Sequence, residues 1–176
     1  DLGFASAMPI DLILAKHPWL GVCEQVAAQQ GFFHWELDFA TIFAHGGFDL
    51  QVGNPPWVRP IYDADALLAE GDPWWQLALR PSESLRAVKR AETLAIPGIP
   101  ELVMDGATDV AAMAAFAGSP QQYPHLTGLQ PDLYRCFMEQ TWRHASATGT
   151  IGLIHPETHF TDEKAGPLRA VTYQRL

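Results

Sequence analysis

The feature that most constrains the fold is a short apolar segment that stops at two consecutive prolines. Residues 48–53, Phe-Asp-Leu-Gln-Val-Gly, have the length and composition of a β-strand, and Asn54, Pro55, Pro56 and Trp57 follow directly. Adjacent prolines lack backbone N–H donors, so neither a sheet ladder nor a helix interior continues through them. The sequence therefore predicts a mostly buried strand that ends in a conformationally fixed loop.

The residues before this strand predict two further elements and a turn. Apolar residues recur with helical spacing over residues 19–30, and Gly31 stands where a helix commonly ends. The short aromatic run of residues 32–37 favours a strand. A turn at Gly46-Gly47 then leads into the strand that precedes the prolines.

The residues after the prolines change in character. Residues 60–130 hold seven of the fourteen prolines and lack regular alternation, which predicts short helices joined by loops in an insertion or lid. The best helix candidates are residues 82–94 and 108–116. Each opens on a residue that can cap a helix, Ser82 and Thr108.

The C-terminal part returns to an α/β pattern. Pro131 suits the first turn of a helix that we expect to run to about Ala147, with Gly149 as its end. Residues 150–154 then form another buried strand. The order of elements predicts part of a doubly wound α/β sheet, with the proline loop at the carboxyl end of a strand, where such sheets bind ligands.

Composition narrows the class of protein. Of the 176 residues 48% are hydrophobic, which excludes a disordered chain, and no apolar run reaches the length of a membrane span. Cys23 and Cys136 are too few for a disulfide framework, so we expect a cytoplasmic protein. The chain begins at Asp1 and ends in an apparent helix at Leu176, and we expect it to be a piece of a longer protein.

The proline loop places two hydrogen-bond acceptors beside an aromatic face. The Asn54 side-chain oxygen and the Pro55 carbonyl oxygen could each hold one hydrogen of an amine whose lone pair is delocalised. The prolines hold that carbonyl in place before a substrate arrives. Trp57 offers a face for a flipped base, a contact worth about 1–3 kcal/mol. An ordinary loop between two elements could also contain Asn-Pro-Pro.

These residues carry a resemblance to a known family. The segment FFHWELDFATIFAHGGFDLQVGNPPW, residues 32–57, resembles the centre of class I N6-adenine DNA methyltransferases of restriction-modification and phage-defence systems. The resemblance is closest to large enzymes that fuse methylase and restriction functions. Residues 132–170 resemble the helix and strand that follow the catalytic loop in these enzymes, with His155-Pro156 near the target-base pocket.

The resemblance implies a fold, a cofactor and a set of site residues. The fold would be a partial Rossmann-like doubly wound methyltransferase sheet with a helical insertion, and the cofactor S-adenosyl-L-methionine. Residues 1–59 would be a partial core with the catalytic loop, residues 60–130 the insertion, and residues 131–176 the continuation of the core. Asp38 would accept a hydrogen bond from the cofactor's adenine amino group, and Phe39 would pack on its ring. The catalytic residues would be Asn54, Pro55, Pro56 and Trp57.

The sequence departs from the family in several respects. It contains no glycine-rich cofactor loop, and Glu24 is only a weak candidate for the acidic residue that holds the cofactor ribose. The net charge of −9 indicates that this chain does not bind a DNA backbone by itself, because phosphate contacts require basic residues. We therefore expect double-stranded DNA with a flipped adenine to be bound through the full-length protein, and the isolated chain to be inactive.

Other residues and functions stay open. His155 and His159 have the spacing of metal ligands on a helix, but Pro156 interrupts a helix there, so we expect no metal. Arg59 could contact a DNA phosphate or form an ion pair within the protein. Trp74 and Trp75 are more typical of a core than of base stacking.

Two alternatives to DNA adenine methylation remain at this point. The same motif could serve methylation of a protein glutamine side chain or an RNA base, because an amide nitrogen presents the same chemical problem. The chain could also be an inert interaction module, since it lacks the glycine-rich loop.

Overall fold

The computed structural model describes residues 8–176, which form two units, residues 8–46 and Gly47–Leu176. The described part of the first unit is helical. Gly31 ends its longest helix in the left-handed conformation, with φ 65°, and donates its N–H to the Ala27 carbonyl, as the sequence predicts. The helices of this unit are α1 (Ile10–Lys16), α2 (Trp19–Gln30), α3 (Trp35–Asp38) and α4 (Ala40–Ala44).

The strand predicted over residues 32–37 is wrong, because residues 32–34 form no strand and the short helix α3 begins at Trp35. The aromatic side chains of this segment contact one another. Trp35 and Phe39, four residues apart, stack with ring centroids 5.5 Å apart. The Asp38 carboxylate accepts the His34 N–H at 3.2 Å and closes the turn. Aromatic content indicated a strand, but the local contacts favour a turn of helix.

The second unit contains two strands and seven helices among its described elements. The strands are β1 (Phe48–Gly53) and β2 (Ala145–Leu153). The helices are α5 (Ala64–Ala69), α6 (Trp74–Leu77), α7 (Glu83–Leu94), α8 (Ile99–Ala117), α9 (Leu133–His144), α10 (Thr158–Thr161) and α11 (Gly166–Tyr173), with 3-10 turns at Pro124–Leu126 and Glu163–Ala165.

The two strands pair in parallel. Leu50 lies opposite Thr150 and Gly53 opposite Leu153, with an irregularity in register after Phe48. Parallel pairing requires a crossover, and helices α5 to α9 supply it. The carboxyl ends of both strands therefore lie at the same edge of the sheet.

This arrangement confirms the α/β class and the predicted strand at residues 48–53. The doubly wound order stays a prediction, because residues 8–176 form no third strand. The three-part domain division likewise stays a prediction. The predicted burial of β1 is wrong, since Leu50 is 64% exposed and Val52 is 77% exposed. A sheet of two strands leaves these side chains uncovered by the described residues.

Two predicted helix boundaries also need correction. Ser82 caps α7 as expected, and its hydroxyl accepts the Leu85 N–H. Thr108 caps nothing: it lies inside α8 and donates its hydroxyl to the Met104 carbonyl. Helix α9 does not run to about Ala147 either. It stops at His144, because β2 begins at the next residue and pairs there with β1.

The core of the second unit consists of two clusters of side chains. Trp75 is buried in one of them and donates its indole N–H to Thr93 Oγ1 at 3.0 Å, with Trp74 packed against the same cluster. The core interpretation of both tryptophans is confirmed. The other cluster joins α8, α9 and the C-terminal helices through Ala117, Tyr123, Leu126, Cys136, Ala165 and Leu168.

Among residues 8–176, no helix is both long enough and apolar enough to cross a bilayer.

Gly149 is expected to be intolerant of a side chain. A Cβ at this position would lie 2.5 Å from the Phe48 carbonyl oxygen, whereas a Cβ at Gly152 of the same strand meets nothing within 4 Å. Gly149→Ala should lower the free energy of unfolding by about 1–3 kcal/mol, because backbone must shift. The matched Gly152→Ala should change it by no more than about 0.5 kcal/mol. Urea denaturation of both variants measures the difference, and equal values would contradict the close approach of β1 and β2.

The two cysteines are expected to differ in reactivity. Burial raises the pKa of the Cys136 thiol to about 12, so it holds its proton at pH 8. Cys23 is exposed on α2. Because the thiolate is the nucleophile, iodoacetamide at pH 8 should modify Cys23 and spare Cys136 in the folded chain. Mass spectrometry measures the modification, with the urea-denatured chain as a control in which both react. Rapid modification of both in the folded chain would contradict the burial of Cys136.

Candidate active site

The proline loop starts where β1 ends. The Ile154 N–H donates to the Gly53 carbonyl at 3.0 Å, so the sheet ladder continues to the residue before Asn54. Pro55 is then buried, whereas Asn54 and Pro56 are exposed. The loop therefore leaves a fixed strand end and passes one residue into the protein before it returns to the surface. This confirms its predicted place at the carboxyl end of a strand.

Two further hydrogen bonds fix the loop after its prolines. The Trp57 indole N–H donates to the Ile154 carbonyl at 3.3 Å, which sets the orientation of a ring that is 55% exposed. The Leu133 N–H, at the start of α9, donates to the Val58 carbonyl at 2.9 Å. The loop is thus attached to β1, β2 and α9.

Arg59 adds a side-chain attachment to the same helix start. Its Nε donates to Asp132 Oδ2 at 3.2 Å, and one terminal nitrogen donates to Gln130 Oε1 at 3.0 Å. Of the two roles that the sequence left open for Arg59, the ion pair within the protein is therefore present.

The two acceptors of the motif are left available by these contacts. The Asn54 side chain makes no hydrogen bond with any of residues 8–176, and the Pro55 carbonyl accepts none from them. The groups that hold the loop are Gly53, Trp57 and Val58 instead. Both oxygens therefore remain unbonded within residues 8–176, that of Asn54 on an exposed residue and that of Pro55 on a buried one.

The end of β2 brings a second group of side chains to this edge of the sheet. His155 stacks on Tyr134, with ring centroids 5.6 Å apart and planes 14° from parallel. The Tyr134 hydroxyl bonds to Thr158 Oγ1 at 2.9 Å and accepts Arg135 Nε at 3.1 Å. The other end of the Arg135 guanidinium donates to Asp162 Oδ2 at 3.0 Å. This chain of contacts fixes His155 beside the loop.

Sequence reasoning missed most of this group. Neither Tyr134 nor Asp162 is singled out by the sequence. Arg135 is 2% exposed and pairs with Asp162, and the Lys164 N–H and then this pair lower the pKa of the Asp162 carboxyl. The one available signal was an arginine between the apolar residues Tyr134 and Cys136 of α9, since buried arginine requires an acceptor.

His159 is fully buried beside His155, with ring centroids 4.9 Å apart. Neither of its ring nitrogens has a hydrogen-bond partner among the described residues. Burial lowers the pKa of His159, and the neighbouring His155 lowers it further. Within residues 8–176 no three histidine, cysteine or carboxylate side chains gather closely enough to hold a metal ion.

Asp38 and Phe39, the residues expected to contact the cofactor, lie in the first unit. The Asp38 carboxylate is exposed, and one of its oxygens accepts the His34 N–H. Phe39 is half-buried and forms an aromatic cluster with Phe33 and Trp35. Glu24 lies on the exposed surface of α2. The cofactor roles of these residues stay predictions.

A groove of about 880 Å³ lies along β2 on the second unit. Its walls come from β2, α9 and α11 and include Trp142, Ile151 and Arg175. It contains none of residues 54–57. The groove is therefore not the place where Asn54 and Pro55 would hold an amine.

Comparison with known proteins identifies one related family. Residues 8–70 match the family model of the Eco57I restriction-modification methylases, and the matched segment includes Asp38, Phe39 and the whole proline loop. This match supports a restriction-modification methyltransferase. No curated protein and no solved structure matches the chain.

The stability of the chain is expected to fall in mild acid because of His159. The lowered pKa means that the folded chain binds this proton at a lower pH than the unfolded chain, whose histidine titrates near pH 6.5. The contribution of neutral His159 is therefore complete above pH 6.5 and declines as the pH falls below it. His159→Gln should weaken the fall in unfolding free energy between pH 7.5 and pH 5. His17→Gln, on the exposed surface, should leave this fall unchanged. Denaturant titrations at both pH values measure the unfolding free energy, and an equal fall in His159→Gln and in the unsubstituted chain would contradict the effect.

Proposed function

We propose that the chain carries the catalytic loop of a DNA methyltransferase that transfers methyl from S-adenosyl-L-methionine to adenine N6, in a restriction-modification or defence system. The observation that carries this proposal is the pair of available acceptors, Asn54 and Pro55, beside the exposed ring of Trp57. They lie at the carboxyl edge of parallel strands, in a segment that matches a restriction-modification methylase family.

The two acceptors suit an amino group that is a poor nucleophile. When the Asn54 side-chain oxygen and the Pro55 carbonyl each accept one amino hydrogen, the nitrogen becomes more pyramidal and its lone pair leaves the ring system. Both acceptors also stabilise the positive charge that develops on nitrogen during transfer, and they need no rearrangement to do so. Pro55 and Pro56 restrict φ, so the carbonyl already points in one direction.

Trp57 would recognise the base by its face rather than by hydrogen bonding. The only N–H of its indole ring is already donated to the Ile154 carbonyl, whereas the residue is more than half exposed. A base flipped out of the duplex can stack on this ring, as in other enzymes that act on a single base. A stacking contact tolerates different bases, so the selection of adenine falls to the two acceptors and their surroundings.

Asp38 and Phe39 have the chemistry that the adenine part of S-adenosyl-L-methionine requires. One Asp38 oxygen accepts no hydrogen bond from residues 8–176 and can take one from an adenine amino group. Phe39 presents an aromatic ring within a fixed cluster. The cofactor would supply an electrophilic methyl group on a sulfonium sulfur.

The charge of the chain indicates how DNA would be held. Phosphate contacts require lysine or arginine, but the chain has a net charge of −9 and Arg59 is engaged with Asp132. We therefore propose that other parts of the full-length protein grip the DNA backbone, and that this chain supplies the contacts to the flipped base.

Methyl transfer is expected to depend on Asn54. The protein that carries this chain, supplied with plasmid DNA and tritiated S-adenosyl-L-methionine, should place label in DNA as N6-methyladenine. Asn54→Ala should lower the rate by about 10²–10³-fold, because it removes one acceptor for the developing charge. Trp57→Phe should retain far more activity than Trp57→Ala, because only the former keeps a stacking face. Nuclease digestion and chromatography of the labelled nucleosides measure both effects.

A matched control is Gln121→Ala, which also removes an exposed amide side chain but lies outside the motif. It should leave the rate unchanged. Label that appears in protein or RNA and not in DNA would overturn adenine-N6 methylation in favour of another amine. Full activity in Asn54→Ala would overturn the assigned role of the loop.

A further inference from the structure

We propose that Arg59 and Asp132 form a positioning pair that holds the proline loop in its active conformation, and that Arg59 is not a DNA contact. The proposal rests on the proposed function for its kinetic consequences, although the pair itself can be tested without catalysis. Neither residue touches a reacting atom in this scheme. They act through Asn54 and Pro55.

The loop is attached differently before and after its prolines. Before the prolines, the sheet bond between Ile154 and Gly53 fixes the chain. After the prolines, the loop has no sheet to join, and its attachments are single contacts. The Arg59 pair lies next to the bond between the Leu133 N–H and the Val58 carbonyl, at the start of α9. It therefore secures the end of the loop that the sheet does not reach.

The Asp132 side chain makes unusual contacts for an aspartate that precedes a helix. An aspartate that precedes a helix commonly accepts a backbone N–H of the first turn, but the Asp132 side chain caps nothing in α9. Its carboxylate instead accepts Arg59, and the side chain is only 10% exposed. Its other oxygen, Oδ1, is buried with no hydrogen-bond partner among the described residues. A carboxylate in this position depends on Arg59, because losing the partner would leave a buried charge uncompensated.

The geometry of the pair requires arginine. Two different nitrogens of one guanidinium reach two acceptors, Asp132 Oδ2 and Gln130 Oε1. The planar group holds these donors in a fixed relation, whereas a lysine ammonium is a point charge on a flexible stem. A phosphate contact would tolerate lysine, so Arg59→Lys distinguishes the two roles.

The consequence for catalysis is a change in turnover rather than in DNA binding. Placing both motif acceptors correctly matters most as charge develops, and a displacement of about 1 Å can cost roughly 10²-fold in rate. In the methyltransferase assay, Arg59→Lys and Asp132→Asn should each lower kcat by about tenfold or more and leave KM for DNA unchanged. The double variant Arg59→Asp with Asp132→Arg, which exchanges the two residues, should recover part of the kcat that the single variant Arg59→Asp loses.

The matched control is Arg86→Lys. Arg86 also donates two hydrogen bonds to a carboxylate, that of Asp65, but within the helical insertion. This variant should leave kcat and KM unchanged. A raised KM for DNA with normal kcat in Arg59→Ala, together with normal kinetics in Arg59→Lys and Asp132→Asn, would identify Arg59 as a phosphate contact and overturn the proposal.

Hydrogen exchange tests the pair without any methyl transfer. The Leu133 amide proton is donated to the Val58 carbonyl, so its exchange reports detachment of the loop from α9. On the full chain, NMR or mass spectrometry should show roughly tenfold faster exchange at Leu133 in Arg59→Lys, as expected for loss of charge-assisted bonding. Arg59→Lys leaves Asp132 at the helix start, so the helix keeps its N-terminal charge.

Unchanged exchange at Leu133 in Arg59→Lys would overturn the positioning pair whatever the enzyme does. Faster exchange there, with no change in Arg86→Lys, would support it even if the unmodified protein transfers no methyl to adenine. That combination of results would support the positioning role of the pair and contradict the proposal that the substrate is adenine in DNA.

Discussion

The parallel pairing of β1 with β2 is the interaction on which the candidate site depends. Because parallel strands run in the same direction, the loops that leave their carboxyl ends meet at one edge. This brings Trp57 to Ile154, two residues 97 positions apart in the chain. The intervening helices form the crossover, and α9 returns the chain so that its start lies against the proline loop.

The two prolines fix the conformation of the loop but leave it without backbone N–H donors of its own. They cannot donate backbone hydrogen bonds, so they add no donor to a ladder, and the Pro55 carbonyl accepts no hydrogen bond from residues 8–176. The loop must therefore be held by its neighbours. Ile154 holds both Gly53 and the Trp57 indole, and the start of α9 holds Val58 and Arg59. The groups that attach the loop are separate from the groups that could bind a substrate.

The sequence predicted the parts of the fold that local chemistry dictates. The strand before the prolines, the glycine end of α2 and the Ser82 cap of α7 all depend on residues within a few positions of one another. The errors arose where longer contacts compete with local preference. The aromatic run contains a turn of helix that begins at Trp35, where Trp35 stacks on Phe39. Helix α9 ended at His144, because the next residues pair with β1.

The sequence by itself determined the loop and its place at a strand end, because proline imposes its geometry in any context. Only the tertiary structure decided which groups of the loop are bonded within the chain and which residues hold them. Arg59 was ambiguous in the sequence, since a phosphate and a carboxylate attract the same guanidinium. The fold places Asp132, with its side chain largely buried, within hydrogen-bond reach of Arg59, so the ion pair within the protein forms.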